Sequence, residues 1–190
     1  MLHSMDVMAG HVAGWHMEGL LLPVFDVNKV GRVMFWADLH GHNLIGPFKI
    51  DQGVKLDSKT YQKLLQDKFM PYVNSMTRQA RNKLIFMHDN APSHASGMTR
   101  EFLAENGFSG NRLMVWPLSS PDLNPIENYW SCFKRKLYEG GRQFSSNDDL
   151  WKAITDTFAS MDRTIIASLT SSMDNRVAEV FKRSGGYIHH

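Results

Sequence analysis

From Arg32 onward, apolar and polar positions fall into short blocks whose length and spacing separate strands from helices. The blocks RVMFWADL and LIGPFKI, rich in Val, Ile, Phe and Trp, flank the turn Gly41-His42-Asn43 and predict a β-hairpin. After a second turn at Asp51-Gln52-Gly53, Ser58 is the expected N-cap of a helix over about residues 59–72. Tyr61, Leu64, Leu65, Phe69 and the aliphatic stem of Lys68 share one face of that helix. The stretch KLIFMHDNAPSH, residues 83–94, then sets four apolar residues ahead of Asp89 and breaks into Asn90, Pro92 and Ser93. This pattern predicts a buried strand that delivers one carboxylate to a loop, the place where α/β sheets put their chemistry. An equally simple reading is that Asp89-Asn90 caps a turn. Residues 96–106 predict an amphipathic helix with Met98, Phe102 and Leu103 inward and Gly107 as its stop, and residues 112–116, RLMVW, predict another strand. Strand, strand, helix, strand, helix, strand implies an α/β sheet of mixed direction covered by helices.

The next segment, PLSSPDLNPIENYW at 117–130, is a Pro-rich loop entering a helix, with Pro125 in its first turn and Trp130, Phe133 and Leu137 on one face. Glu127 lies in that first turn, where an acid favours the helix dipole by about 0.3–1 kcal/mol. The same position aims a carboxylate back towards the sheet. The 37 residues between Asp89 and Glu127 suffice for a loop, a helix and a strand that return the chain beside its starting point. Two acids at adjacent strand and helix ends suit a divalent cation. Further on, residues 146–159 open with Ser146 and Asp149 in capping-box-like spacing and place Leu150, Ile154 and Phe158 on one face, and residues 165–169 and 177–181 predict two more helical segments. Residues 1–31 show no sustained period. His3, His11 and His16 there lack metal-ligand spacing and receive no role. Asp38, before the hairpin turn, is either a ligand or a solvated residue at a strand end, the second being the default.

Composition narrows the class without deciding it. At 190 residues and 43% hydrophobic content the chain suffices for one domain, and its net charge of +2 permits a polyanionic partner without demanding one. A single cysteine, Cys132, excludes an internal disulfide and a cysteine zinc cluster. The longest apolar run near the N-terminus, Leu20 to Leu22, is far too short to span a bilayer, so a soluble protein without a membrane partner is expected.

HDNAPSH at 88–94 together with SPDLNPIENYW at 120–130 resembles the catalytic domain of Tc1/mariner transposases. VMFWAD, LIGPF, YEGGRQF, LTSSMD and GGYI extend the likeness over residues 32–190, towards the Tc1-like branch. The resemblance implies a ribonuclease H-like fold, a mixed sheet with flanking helices, and a DDE/D triad holding two Mg²⁺ ions, with Mn²⁺ as a substitute. Asp89 and Glu127 match the second and third acids and are the expected catalytic and metal-ligating pair. Asn90 and His94 are candidates to contact DNA phosphate or, for His94, to make a loop hydrogen bond. Lys134, Arg135 and Lys136 form a basic run that is either a solvated helical face or a DNA contact. The implied activity is DNA strand cleavage and strand transfer, in transposition and integration, on transposon ends and target DNA in the nucleus, by a homodimer or beside an intact transposase.

Two features of the family have no match. No Thr-Asp-Glu or Ser-Asp-Glu precedes the hairpin, and Asp6 and Asp26 are poor replacements for the first acid. Paired helix-turn-helix modules are also absent. The expectation is therefore a partial catalytic domain over 32–190, its first strand missing, behind an atypical and poorly ordered segment 1–31, with impaired cleavage. The other reading left open is a non-catalytic remnant that binds DNA or a transposase partner.

Overall fold

A computed structural model of the chain describes residues 15–17, 25–27, 31–41, 43–114 and 124–183. Its centre is the hairpin foreseen from the apolar blocks, strand β3 (Gly31–His40) antiparallel to β4 (Asn43–Ile50). Trp36 pairs with Phe48 and Asp38 with Ile45, so Gly46 and Pro47 together oppose Ala37 in a β-bulge. Gly46 is required there: its φ of 102° is left-handed, and a Cβ would lie 2.9 Å from the Trp36 carbonyl oxygen.

Two three-residue strands, β1 (Trp15–Met17) and β2 (Phe25–Val27), pair antiparallel with opposite ends of β3. Strand β1 also pairs in parallel with β5 (Ile85–Met87), Met17 lying opposite Met87. The sheet thus runs β4, β3, β1, β5, and β2 pairs with the N-terminal end of β3. This overturns the expectation of a missing first strand: β1, from within 1–31, fills the central place between β3 and β5. Three residues are too few to show a period of two, and their strand identity comes from pairing on both sides. Asp26 pairs with Arg32 at the far end of β3 from His40, so it does not reach β5. Asp6 lies outside the described residues.

Alternation along the central strands divides the core. Phe35, Ala37 and Leu39 of β3 and Met87 of β5 face one layer, built from α5 (Pro125–Leu137), α6 (Asn147–Ala159), α7 (Arg163–Ser171) and α8 (Met173–Lys182). Trp36 and Phe86, one residue out of step, face the other, where Tyr61, Leu65, Phe69, Val73, Leu103 and Phe108 close over them. That second layer comprises α1 (Ser58–Leu64), a π-helical turn Leu65–Phe69, α2 (Met70–Ser75), α3 (Arg78–Lys83) and α4 (Gly97–Glu105). Pro71 lacks an N–H and its ring would crowd the carbonyl four residues earlier, which accounts for the widened turn just before it. Each fully buried Phe, Trp or Tyr contributes on the order of 1.5–3 kcal/mol, so the two aromatic-rich layers hold the sheet firmly from both faces.

Several boundaries differ from expectation. Asp57, not Ser58, caps α1, its carboxylate accepting from Thr60 N–H at 2.9 Å. The strand expected at 112–116 is, among the described residues, a single parallel bridge from Leu113 to Phe86, preceded by a 3₁₀ turn at Gly110–Arg112. Residues 115–123 of the Pro-rich loop lie outside the described residues. Asp38 is fully buried, not solvated: alternation along β3 puts it on the same face as Trp36, under the helical layer that includes Tyr72, whose hydroxyl feels its charge.

Candidate active site at the end of strand β5

Strand β5 ends at Met87, and two residues later the chain turns on Asp89. Its Oδ1 accepts from Ala91 N–H at 3.0 Å and from His94 Nδ1 at 2.6 Å. The turn-capping reading of Asp89 is therefore correct as far as one oxygen goes. Oδ2 has no protein partner among the described residues, and the side chain is 25% exposed. One oxygen fixes the carboxylate and the other is presented outward.

The loop is braced rather than loose. His94 N–H returns to Ala91 O at 2.9 Å, and Thr99 Oγ1 donates to Ser93 O at 2.7 Å from the first turn of α4, which Ser96 caps. His94 is 2% exposed, its ring stacked on His88 at 5.3 Å and packed against Tyr61 at 4.2 Å. The Tyr61 hydroxyl in turn lies 3.4 Å from His88 Nδ1. Burial, reinforced by the neighbouring His94, pushes His88 down to about 3, so at neutral pH it is an uncharged ring. Burial of Asp89 opposes its ionisation, but the hydrogen bonds from His94 and Ala91 and the fields of both histidines outweigh it and hold its carboxyl below the ordinary range. Asp89 is ionised at neutral pH.

Glu127 arrives from the other core layer. Asn124 caps α5, its side chain accepting from Ile126 N–H, and Pro125 starts the helix where no N–H is needed. Glu127 follows in the first turn, partly buried, and no hydrogen bond to its carboxylate occurs among the described residues. Burial raises its pKa and the charge of Asp89 raises it further, against a lowering by Lys134. The two acids foreseen from the sequence therefore share one electrostatic environment, each with carboxylate oxygen that has no partner among the described residues. Mutual repulsion between half-buried carboxylates is relieved by a hard cation, and oxygen donors are what such a cation takes.

The other candidates divide. Asn90 is exposed beside Asp89. His94 is not available to DNA: it is buried and spends Nδ1 on Asp89, so the loop hydrogen-bond reading holds. Lys134 and Arg135 are exposed on α5, and the field of Lys134 reaches Glu127. Lys136 donates to the Ser160 carbonyl at the end of α6, which gives it a structural partner. Tyr61 and His88 were not singled out by the sequence. Tyr61 carried only a helical packing signal, and His88 none beyond its place next to Asp89. Among the described residues, no group of three metal-ligating side chains assembles.

A mixed sheet with helices on both faces, with one acid just beyond the end of β5 and another in the first turn of α5, is the arrangement of the ribonuclease H-like class. The chain is similar to the crystal structure of the catalytic domain of Mos1 mariner transposase, with a TM-score of 0.80 over 98% of this chain and 94% of that one at 19% identity. A similar overlay, with a TM-score of 0.71, is obtained on the Mos1 strand transfer complex, over 93% of this chain and 55% of that one at 18% identity. In sequence, residues 39–151 match the DDE superfamily endonuclease family, more than half of the chain. The Tc3 transposase of Caenorhabditis elegans is 31% identical over 136 residues, 72% of this chain and 40% of that protein. The Tcb1 transposase of Caenorhabditis briggsae is 28% identical over 155 residues, 82% of this chain and 53% of that protein. The chain belongs to the DDE superfamily endonucleases, as a Tc1/mariner transposase domain. It spans about two-fifths to half of the curated relatives it matches.

Proposed function

We propose that this domain cleaves and joins DNA strands in transposition, with Asp89 and Glu127 as the carboxylates that hold divalent magnesium, or manganese in its place. The observation that carries this reading is the coupled pair itself: an ionised Asp89 with one oxygen fixed and one free, and a Glu127 whose charge is disfavoured until a cation arrives. When bound, the metal would supply Lewis acidity, lowering the pKa of an attacking water or 3′-OH and stabilising the departing oxygen. The chain's own residues do the positioning. The His94 hydrogen bond and the Ala91 N–H fix the Asp89 carboxylate plane; Tyr61 and neutral His88 hold the His94 ring without adding positive charge to compete with a cation. Asn90, exposed next to Asp89, and Lys134, whose charge reaches Glu127, are the side chains proposed to meet phosphate oxygens. The Mos1 catalytic domain has been crystallised with Mg and with Mn, and Mos1 in paired-end and strand transfer complexes, which supports the metal and the DNA substrate proposed here. The same reading has the protein work in the nucleus, on transposon ends and target DNA, as a homodimer or beside a full-length transposase.

A second reading has its own observation. Among the described residues the site has two acids and no third ligand, which suits a DNA-binding domain whose cleavage is weak. Nicking of supercoiled plasmid in Mg²⁺ separates the two. The first reading requires metal-dependent nicking that Glu127→Gln reduces at least a hundredfold; binding without any nicking above that variant's level establishes the second.

A further inference from the structure

Asp89 is fixed through its own carboxylate, and Glu127 is not. Two hydrogen bonds end on Asp89 Oδ1, whereas the Glu127 carboxylate accepts none among the described residues. Glu127 therefore takes its direction from the backbone of the first turn of α5. That turn is the part of a helix least held by its own ladder, because its N–H groups have no carbonyl one turn earlier to donate to. Asn124 caps it, and Ile126 and Tyr129 bury their side chains in the core. Apolar contacts of that kind press the turn inward without fixing its roll about the helix axis. The buried Tyr129 hydroxyl has no hydrogen-bond partner and adds no directional tie.

Of the side chains from Asn124 to Ser131, that of Asn128 is the one that hydrogen-bonds to another element among the described residues. Its Oδ1 accepts from the Arg176 guanidinium of α8 at 3.0 Å. Arg176 is held in turn: its Nε donates at 2.8 Å to Ser172 Oγ, and that hydroxyl donates at 2.6 Å to the Leu169 carbonyl. Ser172 stands at the junction of α7 and α8. The bonds thus run from the α7–α8 corner through a guanidinium that is 2% exposed to the residue next to Glu127. A buried charge costs desolvation that an apolar side chain of similar length avoids, so core packing alone does not call for arginine. What the guanidinium adds is direction, a planar fork whose N–H groups meet acceptors at fixed angles. Successive helical residues lie about 100° apart around the axis, so holding Asn128 sets the roll at Glu127. For a side chain about 5–6 Å from the axis, 10° of roll is a movement of about 1 Å. Metal coordination tolerates about 0.2 Å. We infer that Arg176 is the positioning residue for Glu127, orienting its carboxylate for the divalent cation through Asn128. This rests on the reading of Asp89 and Glu127 as cation ligands.

The test follows thermal unfolding of the full chain from EDTA through an Mg²⁺ series and reads the half-saturating Mg²⁺ concentration from the rise in each protein's own Tm. Arg176→Met keeps the reach of the side chain and removes the fork, and Asn128, only partly buried, is left to water. Arg176→Lys keeps the charge and a donor. Ile154→Val, a small cut in the same core layer, is the control for lost stability. Half-saturation should rise about 10–100-fold in Arg176→Met, rise less in Arg176→Lys, and keep its wild-type value in Ile154→Val. An unchanged half-saturation in Arg176→Met, whatever its Tm, overturns the positioning role, as does an equal shift in Ile154→Val. If Arg176→Met does not fold, Arg176→Lys decides: a raised half-saturation supports the role and an unchanged one overturns it. A wild-type Tm that responds to Mg²⁺ beside an unshifted variant removes only the role of Arg176. A wild-type Tm that ignores Mg²⁺ overturns the acid pair as a cation site, and this inference with it.

Discussion

Acid should loosen this domain through His88 before it titrates most carboxylates. The ring is held neutral by burial beneath Tyr61 and beside His94, with its pKa lowered from 6.5 to about 3. A depressed histidine means that below pH 6.5 the unfolded chain binds a proton the folded chain refuses, so stability is complete above that pH and falls as pH drops towards 3. At 1.36 kcal/mol per unit, the loss between pH 7.5 and pH 4.5 has a ceiling of about 2.7 kcal/mol. It is a ceiling because an edge of the ring reaches the surface. In a domain of this size that corresponds to a fall in Tm of roughly 5–11 °C. The assay is urea denaturation in EDTA at both pH values, for the wild type and for His88→Gln, which keeps a polar group of similar reach but cannot charge. The wild type should lose about 1.5–2.7 kcal/mol more than His88→Gln over this interval. Equal losses in the two proteins would refute the claim that burial keeps His88 neutral.

Other expectations follow from single contacts. Gly46→Ala places a methyl 2.9 Å from the Trp36 carbonyl oxygen at a φ of 102°, and should destabilise by about 2–4 kcal/mol through strain and overpacking, read as a lower urea midpoint. His94→Ala removes the 2.6 Å hydrogen bond that fixes Asp89, and nicking should fall about 10–100-fold with a higher Mg²⁺ requirement, as for other residues that orient a metal ligand. Arg176 is buried and ties α8 to α5 through Asn128 at 3.0 Å and to Ser172 at 2.8 Å. Arg176→Ala should therefore cost about 2–4 kcal/mol in thermal or urea unfolding, leaving a cavity and an unpaired Asn128.

Much of this was legible along the chain because the apolar blocks were long or bounded by strong punctuation. The hairpin, the Ser146 cap, and the acids at Asp89 and Glu127 all depend on local signals that the fold leaves intact. What could not be read was set by tertiary pairing. Strand β1 is three residues of Trp, His and Met whose role comes from lying between β3 and β5. The burial of Asp38 comes from the helical layer that closes over the Trp36 face of β3, a tertiary contact. The brace of Tyr61, His88 and His94 joins residues up to 33 positions apart, and no periodicity announces that a packing tyrosine will end up under the Asp89 loop.

The central claim is that Asp89 and Glu127 together bind a divalent cation, and thermal unfolding with and without Mg²⁺ tests it without relying on activity. A cation that binds only the folded site stabilises by about 2.7 kcal/mol at one hundred times its Kd, roughly 5–11 °C in Tm for a domain of this size. The wild type should show this rise, saturating with Mg²⁺, while Asp89→Asn and Glu127→Gln should each lose most of it. An undiminished Mg²⁺ response in the Asp89→Asn/Glu127→Gln double variant would contradict the account.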